Sequence, residues 1–167
     1  MKKFRHNHTR SAKWRYGVIG GIVVVLIGAG IIYYQWVNRP IVGRQIIHQA
    51  DFAVYVPTAA PNGYSLQKDT AMVTGDTLTY AFVNAAGDAT IAVTVQPRPA
   101  NFNMKQMTEG GAVNSTTTAN GVLYDLSAGG ASKFLLDTGD SLVFITSAKT
   151  MTTVTINDFI ASLRRYN

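Results

Sequence analysis

The sequence contains no cysteine and a single glutamate, Glu109, and charged residues make up only 14% of the chain. Without cysteine there can be no disulfide and no thiolate that acts as a nucleophile or metal ligand. The lone glutamate argues against a paired-carboxylate glycosidase. His48 is the only histidine after the first eight residues, which argues against a hydrolase with a histidine base. No phosphate loop, dinucleotide fingerprint or metal-ligand spacing is present. These absences predict a protein that is not an enzyme and has no cofactor and no metal.

One long apolar run, Gly17–Val37, is present and is interrupted only by Gln35. At about 1.5 Å per residue, a helix of this length reaches about 31 Å, which is enough to cross the hydrocarbon core of a bilayer. The alternative is a cleavable signal peptide, whose apolar region of about 7–15 residues ends in a small-x-small site. This run is longer and ends in aromatic residues typical of a membrane interface. It predicts an uncleaved signal-anchor at residues 17–37.

The basic residues of the chain are concentrated before this run, in a tail of residues 1–16. The tail has no acidic residue and carries six of the 15 basic ones, Lys2, Lys3, Arg5, Arg10, Lys13 and Arg15. Basic residues beside a span are held on the cytoplasmic side, so the N-terminus is predicted to be cytoplasmic and the rest of the chain extracytoplasmic. The tail either only sets this topology or also contacts anionic lipid headgroups of the bilayer. After the span, nine basic residues balance nine acidic ones, which predicts no nucleic-acid partner.

A stripe of glycines runs along the predicted span. Gly17 and Gly21 form a GxxxG pair, and Gly28 follows seven residues after Gly21. Such a stripe allows close approach of two helices and predicts a possible homo-oligomer through the span, although glycine is also common in spans that do not associate.

Residues 38–50 are predicted to form a short juxtamembrane connector, lying either on the membrane surface or against the domain that follows. Residues 51–167 are predicted to form one extracytoplasmic α+β domain. Its strongest signal is a hairpin of TLTYAFVN and ATIAVTVQ, in which apolar residues alternate. Further strands are predicted at VLYDLS, SKFLLD and SLVFITS, and the last two form a hairpin around Thr138-Gly139.

The remaining segments of the domain have weaker patterns. Residues 101–109 are predicted to make one or two helical turns, and residues 110–120 a polar loop. Thr152 or Thr153 is predicted to cap a C-terminal amphipathic helix with Ile156, Phe159, Ile160 and Leu163 on one face and Arg164 and Arg165 in its last turn. The resulting fold is an antiparallel sheet with this helix packed on one face.

The order of FAVYVPTAAPNGYSL, TLTYAFVNAAGDATIAVTVQPRP, ANGVLYDL, DSLVFITS and a terminal helix ending IASLRR resembles a known family. It is similar to an uncharacterised extracytoplasmic domain of single-span bacterial envelope proteins of the Saccharibacteria type, related to the outer domains of anti-sigma-factor-like proteins. The resemblance covers residues 51–165 and departs from the family pattern at Ala60 and Asn62. It implies no catalytic residue, and it implies a distant likeness to sheets that hold lipid in a concave face.

Two kinds of side-chain group in the sequence could act in catalysis or bind a ligand: serine–lysine pairs and a pair of aspartates. Each kind also has a simpler structural explanation. Ser147 and Lys149 lie on the same side of a strand and could form a dyad, whereas Ser132 and Lys133 point to opposite faces. Asp137 and Asp140 flank a turn and could hold a cation, but aspartate is also a common turn residue. We favour the structural explanation for both kinds of group, namely solvated strand residues for Ser147 and Lys149 and turn formation for Asp137 and Asp140.

The sequence therefore predicts a noncatalytic, membrane-anchored module of the cell envelope that binds another envelope protein or a lipid, or senses a ligand. The alternative is a structural subunit that assembles through the glycine face of its span. A lipid ligand would require an apolar concavity between sheet and helix.

Overall fold

The structure is a computed structural model that describes residues 26–35, 39–108 and 113–167. The chain divides into two compact units, Met1–Arg39 and Pro40–Asn167. In the first unit, residues 26–35 are helical, and large apolar side chains such as Leu26 and Ile32 are 66% and 70% exposed. Within the described ranges, no helix combines the length and apolar character that a membrane crossing requires. Residues 17–25 and 36–37 of the predicted span lie outside the described residues, so the span stays a prediction.

The described part of the second unit contains nine strands and three short helices. In chain order they are α1 (Arg44–Ile47), β1 (Val54–Pro57), β2 (Tyr64–Thr74), β3 (Thr77–Asn84), β4 (Thr90–Pro97), α2 (Met104–Met107), β5 (Asn114–Thr118), β6 (Gly121–Asp125), β7 (Ser132–Asp137), β8 (Ser141–Ser147), α3 (Thr153–Ser162) and β9 (Leu163–Tyr166). Seven strands form an antiparallel sheet in the order β2-β3-β4-β8-β7-β6-β5, and β1 pairs with β9 in a separate two-stranded sheet. The predicted α+β class with an antiparallel sheet and a C-terminal helix is confirmed.

Both predicted hairpins are present, and short-range turn chemistry explains them. In the β3–β4 hairpin, Tyr80 lies opposite Val93 and Phe82 opposite Ile91. The turn is held by Asn84, whose Oδ1 accepts hydrogen bonds from the backbone N–H groups of Asp88 and Ala89, both at 3.1 Å. In the β7–β8 hairpin, the Thr138 hydroxyl accepts from the backbone N–H of Ser141 at 3.0 Å. Such local bonds favour a turn over continued sheet.

The core lies on one face of the sheet and is covered by α3. Alternate residues of the central strands point to this face and are at most 1% exposed; they are Leu78, Tyr80, Phe82, Ile91, Val93, Val95, Val143 and Ile145. The Phe82 ring packs edge-to-face on Phe159 of α3, with 5.8 Å between centroids. The Tyr80 hydroxyl donates to the carbonyl of Tyr55 at 3.2 Å, which satisfies the one polar group of this ring in the core. These side chains and the buried residues of α3 form one continuous apolar cluster.

Residues 40–50 belong to the folded unit. Val42 is 0%, Ile47 2% and Ala50 5% exposed, and all three join the same core as the sheet. The backbone N–H of Ile41 donates to the carbonyl of Pro57 at 3.1 Å. The connector was predicted to lie either on the membrane surface or against the domain. Its described residues 40–50 pack against the domain.

Two edge strands of the large sheet, β2 and β5, were not predicted from the sequence. The predicted loop at residues 110–120 is wrong, because Asn114–Thr118 forms β5 at the edge of the sheet, paired with β6. At the opposite edge, β2 carries a bulge between Gln67 and Met72. There the Thr70 hydroxyl accepts from the backbone N–H of Ala81 at 2.9 Å, so a side chain replaces a missing ladder bond. The side chains of β5 are polar and largely exposed, so this strand shows no apolar alternation. In β2 the alternation is interrupted by the exposed residues 67–69 at the bulge.

The C-terminal helix begins as predicted but ends earlier. Thr152 caps it by accepting from the backbone N–H of Thr155 at 3.1 Å. The prediction that Arg164 and Arg165 close its last turn is wrong, because the backbone becomes extended at Leu163 and both arginines lie in β9. In the extended conformation these residues pair with β1, and Leu163 is completely buried. These interactions stabilise the strand more than another helical turn would. Arg164 still donates from Nη1 to the carbonyls of Ala161 and Leu163, both at 2.8 Å.

Candidate functional site

A crossover on the outer face of the sheet, the face opposite the core, lines a concavity. β4 ends beside β8, whereas β5 lies at the far edge beyond β7 and β6, so the chain between them must cross these strands. Pro97-Arg98-Pro99 stops β4, because proline cannot continue a strand ladder. The crossover then includes the short helix α2, capped by Asn103, whose Oδ1 accepts from the backbone N–H of Lys105 at 3.0 Å.

Between this crossover and the strands lies an open groove of about 960 Å³, which we call the crossover groove. The crossover contributes a basic, an aromatic and an apolar side chain, and β6 and β7 contribute a phenol and a carboxylate. These five residues are Arg98, Phe102, Met104, Tyr124 and Asp137.

Arg98 is the best-positioned charged group of the groove. Its Nε lies 2.9 Å from Oδ1 and 3.1 Å from Oδ2 of Asp137, and its guanidinium lies 5.0 Å from the centre of the Phe102 ring. The side chains of Arg98 and Asp137 are 28% and 14% exposed, so the pair is partly shielded from water. Among the described residues, only the Nε of this guanidinium has a protein acceptor, which leaves the Nη donors available to a ligand. This arrangement suits recognition of a hydrogen-bond acceptor.

Neither Ser–Lys pair forms a dyad, in agreement with the structural role favoured from the sequence. The ammonium group of Lys149 is bound to Asp88, with 2.6 Å between Nζ and Oδ2, and only the backbone N–H of Lys149 reaches Ser147 Oγ. Hydrogen bonds from Lys149 and Asn84, together with the charge of Lys149, lower the pKa of Asp88. Ser132 Oγ accepts from the backbone N–H of Met151 at 2.8 Å and is 2% exposed. Each hydroxyl therefore has a structural partner.

The two aspartates that flank the β7–β8 turn form ion pairs with arginine side chains. Asp137 pairs with Arg98, and Asp140 pairs with Arg165 at 2.8 Å between Oδ2 and Nε. In the part of the chain that the structure describes, no three histidine, cysteine or acidic side chains lie close enough together to hold a metal ion. Burial raises the pKa of the Asp140 carboxyl, but hydrogen bonds from Thr138 and Arg165, with the charge of Arg165, outweigh burial and bring the pKa below its ordinary value.

This shift predicts a pH-dependent contribution to stability. Asp140→Asn is expected to lower the free energy of unfolding near neutral pH by about 0.2–1 kcal/mol, as for an exposed ion pair. A carboxyl with a lowered folded-state pKa stabilises above its unfolded value of about 3.9, and the contribution is lost as pH falls through the folded value. Urea unfolding at a series of pH values should therefore show the gap between wild type and variant closing in acid. The exposed Asp158→Asn serves as control, and a gap that stays constant at every pH would contradict the prediction.

The remaining predicted site residues belong to the first unit. Gly17 and Gly21, and the tail residues Lys2, Lys3, Arg5, Arg10, Lys13 and Arg15, lie outside the described residues. Gly28 lies in the described helix, and a Cβ built there would meet no atom within 4 Å, so this position is open to a neighbour. The crossover groove was not predicted from the sequence. Its only signal was the Pro97-Arg98-Pro99 break followed by Phe102.

No family model, no curated protein and no solved structure matches this chain.

Proposed function

We propose that the chain is a single-pass membrane protein whose α+β domain is a noncatalytic binding module outside the cytoplasm. The observation that carries this proposal is the apolar surface of residues 26–35. Ile27 and Ile31, one turn apart, are 59% and 53% exposed, and Leu26 and Ile32 beside them are exposed still further. A helix that is apolar on all sides needs an apolar environment, and a bilayer supplies one. The basic tail before it supports a cytoplasmic N-terminus.

The crossover groove is the binding surface in this proposal. Arg98 is held by Asp137 and by the Phe102 ring, so little side-chain freedom is lost when a ligand accepts a hydrogen bond from it. A noncatalytic role is supported by the structural interactions of three side chains. Lys149 pairs with Asp88, and the hydroxyl oxygens of Ser147 and Ser132 accept hydrogen bonds from backbone N–H groups. The resemblance to envelope domains of single-span bacterial proteins agrees with this proposal and is part of it.

The sharpest test of the proposal is the membrane topology. Because the chain has no native cysteine, a single introduced cysteine reports on which side of the membrane its segment lies. A membrane-impermeant maleimide is expected to label Ala86→Cys, in the exposed β3–β4 turn, in intact cells. Thr9→Cys, in the tail, should react only after the membrane is permeabilised. The pair Ile27→Asp and Ile31→Asp should release the protein from membranes, because each charge in a span costs about 2.5–3.5 kcal/mol. The matched control, Ile31→Leu, should stay in the membrane.

Three results would contradict this proposal. One is equal labelling of both cysteines in intact cells, and another is full membrane retention of the double aspartate variant. The third is hydrolysis of a peptide or cell-wall substrate that Ser147→Ala abolishes. In the same membranes, crosslinked homo-oligomers that Gly21→Leu eliminates would favour the alternative, a structural subunit that assembles through the glycine face.

A further inference from the structure

The second unit carries two arginines without carboxylate partners at the end where its chain begins. Arg44 lies on α1, four residues after Pro40, and Arg164 lies on β9. Three ion pairs are formed among the described residues, and their basic members are Arg98, Lys149 and Arg165. Arg44 and Arg164 are exposed, and no carboxylate of the described residues lies within 4.0 Å of either.

Although 120 residues separate them in sequence, Arg44 and Arg164 are held at the same place in the fold. The side chain of Asn167 donates from Nδ2 to the carbonyl of Ala50 at 2.6 Å and to that of Ile47 at 3.4 Å, which fixes the end of β9 against the end of α1. Arg44, His48 and Tyr166 line one small hollow at this junction.

Arg164 lies two residues before Tyr166 in β9, so their side chains share one face of the strand, and Tyr166 lines the hollow together with Arg44. Burial raises the pKa of Tyr166, and the positive charges of Arg164 and Arg44 act against that rise. Arg44 and Arg164, which we call the arginine pair, therefore form a local concentration of positive charge on a unit that has eight basic and nine acidic residues in all.

Chain connectivity limits how far this charge can be from the bilayer. Seven residues separate Arg44 from Val37, the last residue of the predicted span, and a fully extended chain covers at most about 3.6 Å per residue. The chain between Val37 and Arg44 can therefore reach no further than about 25 Å. Cations close to a membrane surface are attracted to anionic lipid headgroups.

We propose that the arginine pair docks this end of the domain on the anionic lipid surface of the membrane in which the chain is anchored. This inference rests on the proposed membrane anchor. It assigns Arg44 and Arg164 to the outer leaflet, whereas the basic tail would face the opposite one. Docking would orient the domain and direct its remaining surface away from the bilayer.

The test uses the full chain with one introduced cysteine, His48→Cys, labelled with the environment-sensitive dye NBD. His48 is exposed and lies in the hollow beside Arg44. The protein is reconstituted in nanodiscs of phosphatidylcholine alone or with phosphatidylglycerol. NBD emission is expected at shorter wavelength, with less quenching by an aqueous quencher, only in the anionic discs. Salt at about 1 M should reverse the change, because it shortens the screening length to about 3 Å.

Variants identify the charges responsible. Arg44→Gln combined with Arg164→Gln should remove the difference between the two lipids, and Arg44→Lys with Arg164→Lys should keep it. The matched control, Lys68→Gln with Lys133→Gln, removes two exposed charges elsewhere on the domain and should also keep it. Far-ultraviolet circular dichroism verifies that each variant is folded.

The outcomes separate this inference from the membrane anchor. A protein that elutes with both kinds of disc but gives the same NBD emission in each overturns docking and leaves the anchor intact. A lipid difference that survives in the double glutamine variant, or that the lysine control also loses, overturns the role of the arginine pair. A protein that elutes with neither kind of disc overturns both proposals.

Discussion

Phe159→Ala is expected to lower the free energy of unfolding by about 3–5 kcal/mol, the cost of removing a buried aromatic ring. Phe159 is 1% exposed and joins α3 to the sheet through its edge-to-face contact with Phe82. The substitution removes apolar burial and leaves a cavity at the centre of the core, which the surrounding strands cannot close without distorting their ladders. Urea unfolding of the Pro40–Asn167 unit, followed by circular dichroism, measures the loss.

The matched control lies on the same helix. Val154 is 69% exposed, and Val154→Ala should change the free energy of unfolding by no more than about 0.5 kcal/mol. If Phe159→Ala cost less than about 1 kcal/mol, α3 would not be packed on the sheet in the way described.

Gly121→Ala is expected to destabilise the unit by at least about 2 kcal/mol through two separate effects. A Cβ at this position would lie 2.1 Å from the carbonyl oxygen of Asp137 and 2.9 Å from Thr138 Cα, so backbone of the next strand would have to move. Gly121 also has φ +136°, a conformation that residues with a side chain rarely adopt. Urea unfolding of the same unit measures the combined cost.

Gly139→Ala separates the two effects. Gly139 has φ +92°, but a Cβ there would meet nothing within 4 Å, so its substitution carries the conformational cost alone, about 1–3 kcal/mol. Gly121→Ala should therefore be clearly the more damaging change. Equal losses would show that β6 and β7 do not approach each other as closely as Gly121 and Asp137 indicate.

Features with a short-range cause were the ones that could be predicted from the sequence. Asn84 and Thr138 bond to backbone groups within five residues, so their turns leave a local pattern. Thr152 likewise bonds to Thr155 only three residues ahead and marks the start of α3. The alternation in β3 and β4 reflects one buried face, which is also a local property.

Features whose cause lies far along the chain could not be predicted. Nothing near Arg164 and Arg165 signals that the helix ends before them, because the competing partner is β1. The polar strand β5 exists because β6 pairs with it. The Arg98–Asp137 pair joins residues 39 apart, so the crossover groove has no sequence pattern of its own.

The pairing of β1 with β9 has a consequence for the order in which the domain can form. Thr58, just after β1, bonds through its backbone N–H and its hydroxyl to the carbonyl of Ser162, 104 residues later. Closing a flexible loop of about that length costs about 4 kcal/mol in chain entropy, so this contact gains little until the intervening sheet has folded and brought the ends together. During synthesis, β1 is made before its partner β9. Until β9 is available, β1 lacks the strand with which it pairs in the folded unit, where Val54 and Val56 are 0% exposed, and unpaired strand edges favour mispairing.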